Sequence, residues 1–236
     1  MIRPRFHLRE TIATILADEE QHVKAAREGM IRARQELEHY ISGDPFFLTT
    51  FEPYRIDSGI TVVDRMSDAS VPAGVGPMAA VAGAIAWAGV EAMVEEGASF
   101  GVVDNGGDIA YRTDREITIG IHAGTSGMSD RYAFVVGPRS GISGICTSSA
   151  TVGPSISLGV ADAVTIVARN PALADAWATA VCNRVTKEDS SVVDEALLGG
   201  SEGVCVIIGD WYCRKGTLPR IVKARVPHDR ITGGLF

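Results

Sequence analysis

A chain of 236 residues, 46% of them hydrophobic and 22% charged, carries enough apolar surface to bury one sizeable core, which excludes an extended or disordered polymer. Its net charge of −7, with 22 basic residues scattered among 29 acidic ones, presents no basic face to a phosphate backbone, so nucleic acid is excluded as the expected partner. Abundant glycine and alanine predict close packing, and residues 1–236 are expected to form a single domain.

The first ten residues, MIRPRFHLRE, hold neither an apolar stretch with a small-residue cleavage site nor a lipid-attachment cysteine, so the expected location is the cytoplasm. Residues 69–90 carry no charge, but glycine and alanine dominate them and Pro72 and Pro77 interrupt their start; a buried helix is expected there and no membrane span. Cys146, Cys182, Cys205 and Cys213 form no CxxC pair and no ligand spacing, which argues against structural zinc and for reduced, mostly buried thiols.

Taken in chain order, Phe6, Leu8, Ile12 and Leu16 fall on alternate positions of residues 5–17, the period of a half-buried strand. Asp18, with Gln21 three residues on, then caps a helix whose apolar stripe is Val23, Ala26, Met30, Ala33, Leu37 and Ile41 and whose stop is Gly43 with Pro45. A strand is predicted over residues 59–64 and a loop over 67–76. Pro77 then suits the first turn of a helix reaching about Glu96, where its missing N–H is no loss.

The stretch Gly74-Val75-Gly76-Pro77-Met78-Ala79 fits GxGxxA, the glycine pattern of dinucleotide loops. Its surroundings do not fit, because the predicted strand ends well upstream and Glu95 and Glu96 close a helix rather than a second strand. What survives is a glycine loop, Gly74 and Gly76, feeding a helix N-terminus whose unpaired N–H groups suit a phosphate. A tight turn against the packed helix accounts for the same glycines.

Strands are predicted over residues 100–103, 109–112 and 117–121, with the turn Asp104-Asn105-Gly106-Gly107-Asp108 between the first two. Gly106 and Gly107 permit positive φ and let a ligand or another backbone approach while Asp108 is presented at the edge; a plain hairpin turn needs them equally. Further on, residues 144–150, GICTSSA, and 153–157, GPSIS, pack small hydroxyls densely before a strand at 163–168. Such a loop suits a polar ligand, with Thr147 and Ser148 the candidate contacts, and turn chemistry alone also selects these residues. Cys146 or Ser148 as a nucleophile has no assignable base.

After the turn Asn170-Pro171, the segment Leu173-Ala174-Asp175-Ala176-Trp177-Ala178-Thr179-Ala180-Val181 reads as a helix that stacks Asp175 and Thr179 on one face, with alanines leaving the approach open. A carboxylate and a hydroxyl form the hard-oxygen pair that magnesium prefers. An Asp near the helix dipole and a Thr bonding back to its own helix explain the pair without a ligand. Asp162, in Ala161-Asp162-Ala163, is a further candidate carboxylate, or else opens a surface strand. A last strand is predicted at 204–208, and Arg220, Lys223, Arg225 and Arg230 read as solvated surface.

The order of these pieces, a glycine loop and alanine-rich helix, a strand into Gly-Gly-Asp, a Thr-Ser loop, a strand and then Ala-Asp-Ala-x-x-Thr, resembles the ApbE flavin transferases over residues 74–185. Over its whole length the chain looks like an ApbE-like family of cytoplasmic proteins in which ICTSSxTVG and a following S-x-G-x-ADAV run are typical, read here at residues 145–153 and 157–164. The resemblance implies an α+β, T-fold-like domain of mixed helix and mainly antiparallel sheet, and a pocket of FAD size. It further implies magnesium on Asp175 and Thr179, with Gly106, Gly107 and Asp108 lining the pocket and Thr147 and Ser148 touching the ligand. ApbE transferases break the pyrophosphate of FAD and attach FMN to a threonine of a protein.

The chain departs from those transferases in two places. It has no lysine in the glycine-rich segment before the helix, and it lacks their HxxDPxTG stretch, where Pro154-Ser155-Ile156-Ser157 stands instead. The nearest histidine, His122, is expected at a strand end as a packed or solvated imidazole. Two functions are therefore carried forward. One is a magnesium-dependent enzyme acting on FAD, by FMN transfer or pyrophosphate cleavage; the other is a non-catalytic ApbE-like protein binding a different small molecule or nucleotide. A homo-oligomer is compatible with either.

Overall fold

The computed structural model describes residues 1–9, 11–152, 159–227 and 231–232. Strands β1 (Arg5–Leu8) and β2 (Thr11–Ala17) lead into the long helix α1 (Glu20–Gly43), followed by helices α2 (Pro45–Thr49), α3 (Thr61–Ala73) and α4 (Val81–Glu95). Strands β3 (Gly101–Asn105), β4 (Asp108–Thr113), β5 (Ile117–Gly120), β6 (Tyr132–Val136), β7 (Arg139–Ser148) and β8 (Ala163–Ala168) come next. The chain closes with α5 (Pro171–Arg184), α6 (Ser191–Leu198), β9 (Gly203–Ile208), β10 (Trp211–Gly216) and β11 (Arg220–Lys223).

Among the described residues the sheet order is β1-β2-β3-β4-β7-β8-β9-β10, every pairing antiparallel, and a second sheet runs β11-β6-β5. The central strands of the large sheet are buried on both faces and sort their residues by alternation. Val103, Ala110, Cys146, Val164, Ile166 and Val206 turn towards the helices. Val102, Ile109, Tyr111, Ile145, Val167 and Ile207 turn towards the small sheet, where Phe134 and Val136 meet them. The result is three layers, helices on the large sheet on the small sheet. This is the α+β arrangement of helix and antiparallel sheet that the sequence implied.

Several local expectations need correction. Residues 5–17 are a hairpin rather than one strand, with Leu8 paired to Thr11 and Arg9 at a φ of 53° in the turn. Alternation runs through both arms and no Gly or Pro marks the turn, so the break was invisible. Asp18 does not cap α1, which starts after Glu19 without a side-chain cap; Asp18 pairs instead with Arg115 at 2.7 Å. Residues 59–64, expected as a strand, open α3, which also covers most of the expected loop 67–76. The β-branched run Thr61-Val62-Val63 suggested a strand, but Val62, Met66, Ala69 and Ala73 share a face at helical spacing and are buried, and packing overrides propensity.

Pro77 does begin helical structure, a 3-10 turn over Pro77–Ala80 that runs into α4. The segment Pro77–Glu95 is the one helical stretch among the described residues long and apolar enough to cross a membrane. Here it lies between α1 and the sheet. Room for a side chain is lacking on both sides: a Cβ at Gly89 would come within 2.9 Å of Met30 Cγ and 3.1 Å of Val103 Cγ2, and one at Gly29 within 2.6 Å of the Ala88 carbonyl. Gly153, Pro154, Ser155, Ile156 and Ser157 of the hydroxylic stretch, and Arg230 of the tail, lie outside the described residues.

Candidate functional site

Antiparallel register brings one set of strand ends to a common edge of the large sheet. Asn105 pairs with Asp108 across the β3–β4 turn, Asp108 with Cys146, Ser148 with Val164, and Ala163 with Ile207. At the turn, Gly106 and Gly107 take φ of 72° and 108°, a region closed to most side chains, and Asp104 Oδ1 accepts the Gly107 N–H at 2.9 Å. Asn105 donates its amide to the Ala82 carbonyl at 3.1 Å, tying the turn to the first turn of α4.

Helix α5 crosses beneath this turn. Asn170 caps it, accepting from the Leu173 N–H at 3.0 Å, and Pro171 follows at its first position. One turn on, Asp175 is 7% exposed and its Oδ2 accepts the Gly83 N–H at 2.8 Å. The first N–H groups of a helix have no partner inside it, so Asp175 caps a helix to which it does not belong. Gly83 makes that approach possible, because a Cβ there would lie 2.5 Å from the Pro171 carbonyl oxygen and 2.8 Å from Asp175 Cβ.

Above these groups opens a cavity of about 1400 Å³, ample for a dinucleotide-sized ligand. Gly106, Gly107 and Asp108 line it from the turn, Thr147 and Ser148 from the end of β7, and Asp175 and Thr179 from α5. Seven of the nine residues expected to hold the ligand or its metal are thus brought to one space. Gly74 and Gly76 are not in its lining. Gly74 ends α3 with a φ of 69°, and Gly76 sits against the Thr50 carbonyl, where no side chain fits. The helical start that follows the glycine loop does reach the cavity, with Met78 of the Pro77–Ala80 turn and Val81 and Ala82 of α4 in its lining.

Three acids gather at this end. Burial raises Asp175 from the usual carboxylate range to about 7, against the lowering effect of the Gly83 and Ala82 N–H groups. Burial, then the charges of Asp175 and Asp104, push Asp108 well up, against the Thr147 N–H. Asp104 is raised by burial too, and the Thr232 hydroxyl and Gly107 N–H act against that. Two carboxyls close in space with little water cannot both ionise freely unless a proton or a cation is present. Among the described residues no group of three His, Cys, Asp or Glu is arranged as a metal cluster, so any cation here would rest on carboxylates, hydroxyl and main-chain oxygen.

Other candidates resolve into structural roles. Asp162 is buried; its Oδ1 accepts the Thr151 hydroxyl at 3.0 Å and its Oδ2 the Gly209 N–H at 2.7 Å, which clamps two loops together. Cys146 has no exposed surface, and burial raises its thiol well above the ordinary value, which disables it as a nucleophile. Thr147 shares its hydroxyl with Thr165 at 2.9 Å. His122, expected as packing or surface, lines the cavity; so do Asp104 and Asn105, which flank the glycine turn.

The family described as AbpE bacteria matches residues 3–197. The UPF0280 protein of Methanosphaerula palustris is 54% identical over 234 residues, covering 99% of each chain, and that of Methanoculleus marisnigri is 57% identical over 234 residues, covering 99% of this chain and 96% of its own. Among solved structures, the ApbE protein of Thermotoga maritima superposes with a TM-score of 0.61 at 12% identity, covering 91% of this chain and 96% of that one. The flavinyl transferase ApbE of Pseudomonas stutzeri, in its apo form, gives 0.57 at 12% identity, covering 92% and 94%.

Proposed function

The chain belongs to the UPF0280 proteins and to the family described as AbpE bacteria, and from that premise we propose that its cavity is a magnesium-dependent site for a flavin nucleotide, with FAD as the substrate whose pyrophosphate is broken. The observation that carries the reading is the meeting of Asp108, from the sheet, with Asp175, from α5, at the wall of a cavity large enough for FAD. The fold it shares with ApbE flavin transferases supports the choice of ligand.

The donor set suits magnesium. Asp175 and Thr179 stand one helical turn apart on α5, Asp108 lines the same cavity, and burial raises both carboxyls while the charge of Asp175 raises Asp108 further, a cost that a divalent cation relieves. When bound, magnesium would neutralise charge on the pyrophosphate oxygens. The protein itself provides position: the bare main chain of Gly106 and Gly107 admits phosphates closely, and the N-terminus of α4 favours negative charge beside them. Ser148 lines the same wall with a hydroxyl for the ligand.

The missing lysine and HxxDPxTG stretch favour pyrophosphate cleavage over FMN transfer, and they also keep alive a second reading, a protein that binds a nucleotide without turnover. Incubating the purified protein with FAD, with and without magnesium, separates these outcomes. Magnesium-dependent AMP release that Asp108→Asn abolishes supports the enzyme. Bound flavin with no AMP supports the binding protein, and no bound flavin removes both.

A further inference from the structure

On the small-sheet side of the cavity, the loop between β5 and β6 builds a second constellation. His122 lines the cavity with its side chain 27% exposed, and its Nδ1 lies 3.0 Å from Asp130 Oδ1 and 3.4 Å from Ser129 Oγ. A carboxylate accepts, so the Nδ1–H donates to Asp130, and in the neutral ring Nε2 keeps its lone pair. Nε2 makes no hydrogen bond among the described residues. The other histidine of the lining, His7, has its Nε2 engaged by the Arg9 carbonyl at 2.8 Å.

The surroundings of His122 are built to hold one orientation. Asp130 adopts a φ of 61°, left-handed for a residue with a side chain, and is pinned there: its N–H donates to the Ile121 carbonyl at 2.9 Å and its carbonyl accepts the Val226 N–H at 3.0 Å. Ser129 Oγ accepts the Ala123 N–H at 3.0 Å, and Ser126 ties the loop to the Gly209 carbonyl at 2.7 Å. A carboxylate fixed by so many bonds and aimed at an imidazole that lines a cavity points to a role in the cavity rather than to loop closure alone. The same loop packs on the end of the hydroxylic stretch, where a Cβ at Gly124 would lie 2.9 Å from Val152 Cγ2 and 3.0 Å from Thr151 Oγ1, and Thr147, Ser148, Asp108 and Asp175 line the same cavity.

We propose that His122 is the proton-transferring group of this cavity and that Asp130 is its positioning residue. The proposal rests on the reading of the cavity as a nucleotide pyrophosphate site. In the step it serves, the oxygen of water bonds to one phosphorus of FAD, and the bond from that phosphorus to the bridging oxygen breaks. The bridging oxygen leaves with the electron pair on the departing phosphate, and the water proton passes to His122 Nε2. FMN and AMP result, and the imidazolium returns its proton to solvent.

The test uses the full chain with His122→Gly and Asp130→Asn, read by AMP release, by quenching of FAD fluorescence and by the 15N shifts of the His122 ring. Replacement of His122 by glycine is expected to slow AMP release about 100-fold or more while FAD still binds, and added imidazole is expected to restore part of the rate. Asp130→Asn is expected to change the ring tautomer and slow release about tenfold. His122→Gly that turns over at the wild-type rate, or slows without any rescue by imidazole, overturns the proposal. If the wild-type protein releases no AMP, the pyrophosphate reading fails and the step assigned to His122 falls with it, whereas AMP release that His122→Gly leaves untouched overturns this proposal alone. An Nε2 resonance that shifts with FMN or AMP supports a ring that meets the ligand, and one that ignores both overturns the assignment.

Discussion

Asp175 of α5 closes the first turn of α4 through Gly83, its Oδ2 2.8 Å from that N–H, while the same carboxyl bears on Asp108 of β4. A single acid therefore joins the helix layer together and forms part of the cavity wall.

This dual position gives folding a pH dependence with a definite sign. Burial raises Asp175 from 3.8 to about 7, so the folded state holds that proton more tightly than the unfolded chain. Its contribution to stability is full below about pH 4 and is lost as pH climbs to about 7, on the order of a few kcal/mol. In urea titrations without divalent cations, raising the pH from 5 to 8 should lower the midpoint, and Asp175→Asn should flatten that fall. Magnesium should restore wild-type stability at pH 8 and have little effect at pH 5. An Asp175→Asn profile as steep as the wild type would sink the assignment.

Thr179 lines the cavity but is only partly buried, so Thr179→Val should leave the melting temperature without cations nearly unchanged. Its magnesium affinity, followed by calorimetry, should fall roughly tenfold through loss of one oxygen contact. Unchanged affinity would remove Thr179 from the proposed cation site.

Gly83→Ala should force α4 and α5 apart, since the new Cβ would lie 2.5 Å from the Pro171 oxygen. Overpacking of this kind costs about 1–3 kcal/mol, to be read as a lowered midpoint in chemical unfolding. Magnesium binding should weaken in the same variant, because Asp175 moves with α5.

Asp162 offers a contrast within the same edge of the sheet. Asp162→Ala leaves the Gly209 N–H and the Thr151 hydroxyl without their acceptor, a loss of about 1–3 kcal/mol in unfolding experiments. Its magnesium affinity should match the wild type, and a large drop would show that Asp162 belongs to the cation site after all.

Thiol chemistry tests the burial pattern. Cys146, Cys182 and Cys205 are buried, and Cys213 on the outer strand β10 is partly exposed. A chromogenic disulfide reagent should titrate Cys213 in the native protein and the remaining three only in denaturant. Rapid native reaction of Cys146 would contradict its place beneath the β3–β4 turn.

Much of this arrangement was legible in the sequence where periodicity and special residues coincide. The β3–β4 turn showed itself through Gly106 and Gly107, and α5 through Asn170, Pro171 and its alanine face. What failed was local: the hairpin at Leu8 and Thr11 turns without glycine or proline, and α3 begins with β-branched residues that packing makes helical. Gly74 and Gly76 looked like a phosphate loop because glycine spacing alone does not say whether a turn faces a ligand or, as here, the Thr50 carbonyl. His122 was passed over because its carboxylate partner, Asp130, stands eight residues on in a loop whose conformation no period encodes.

The bond from Asp175 to Gly83 also changes how related sequences should be read. A protein that has lost all chemistry would still need an acceptor at position 175 to keep α4 latched to α5, so an aspartate there says little about whether a homologue is active. Asp108 also meets the Thr147 N–H across the β4–β7 seam, whereas Thr179 is only partly buried, so under the proposed function a changed Thr179 would be the more informative mark of a homologue without a cation site.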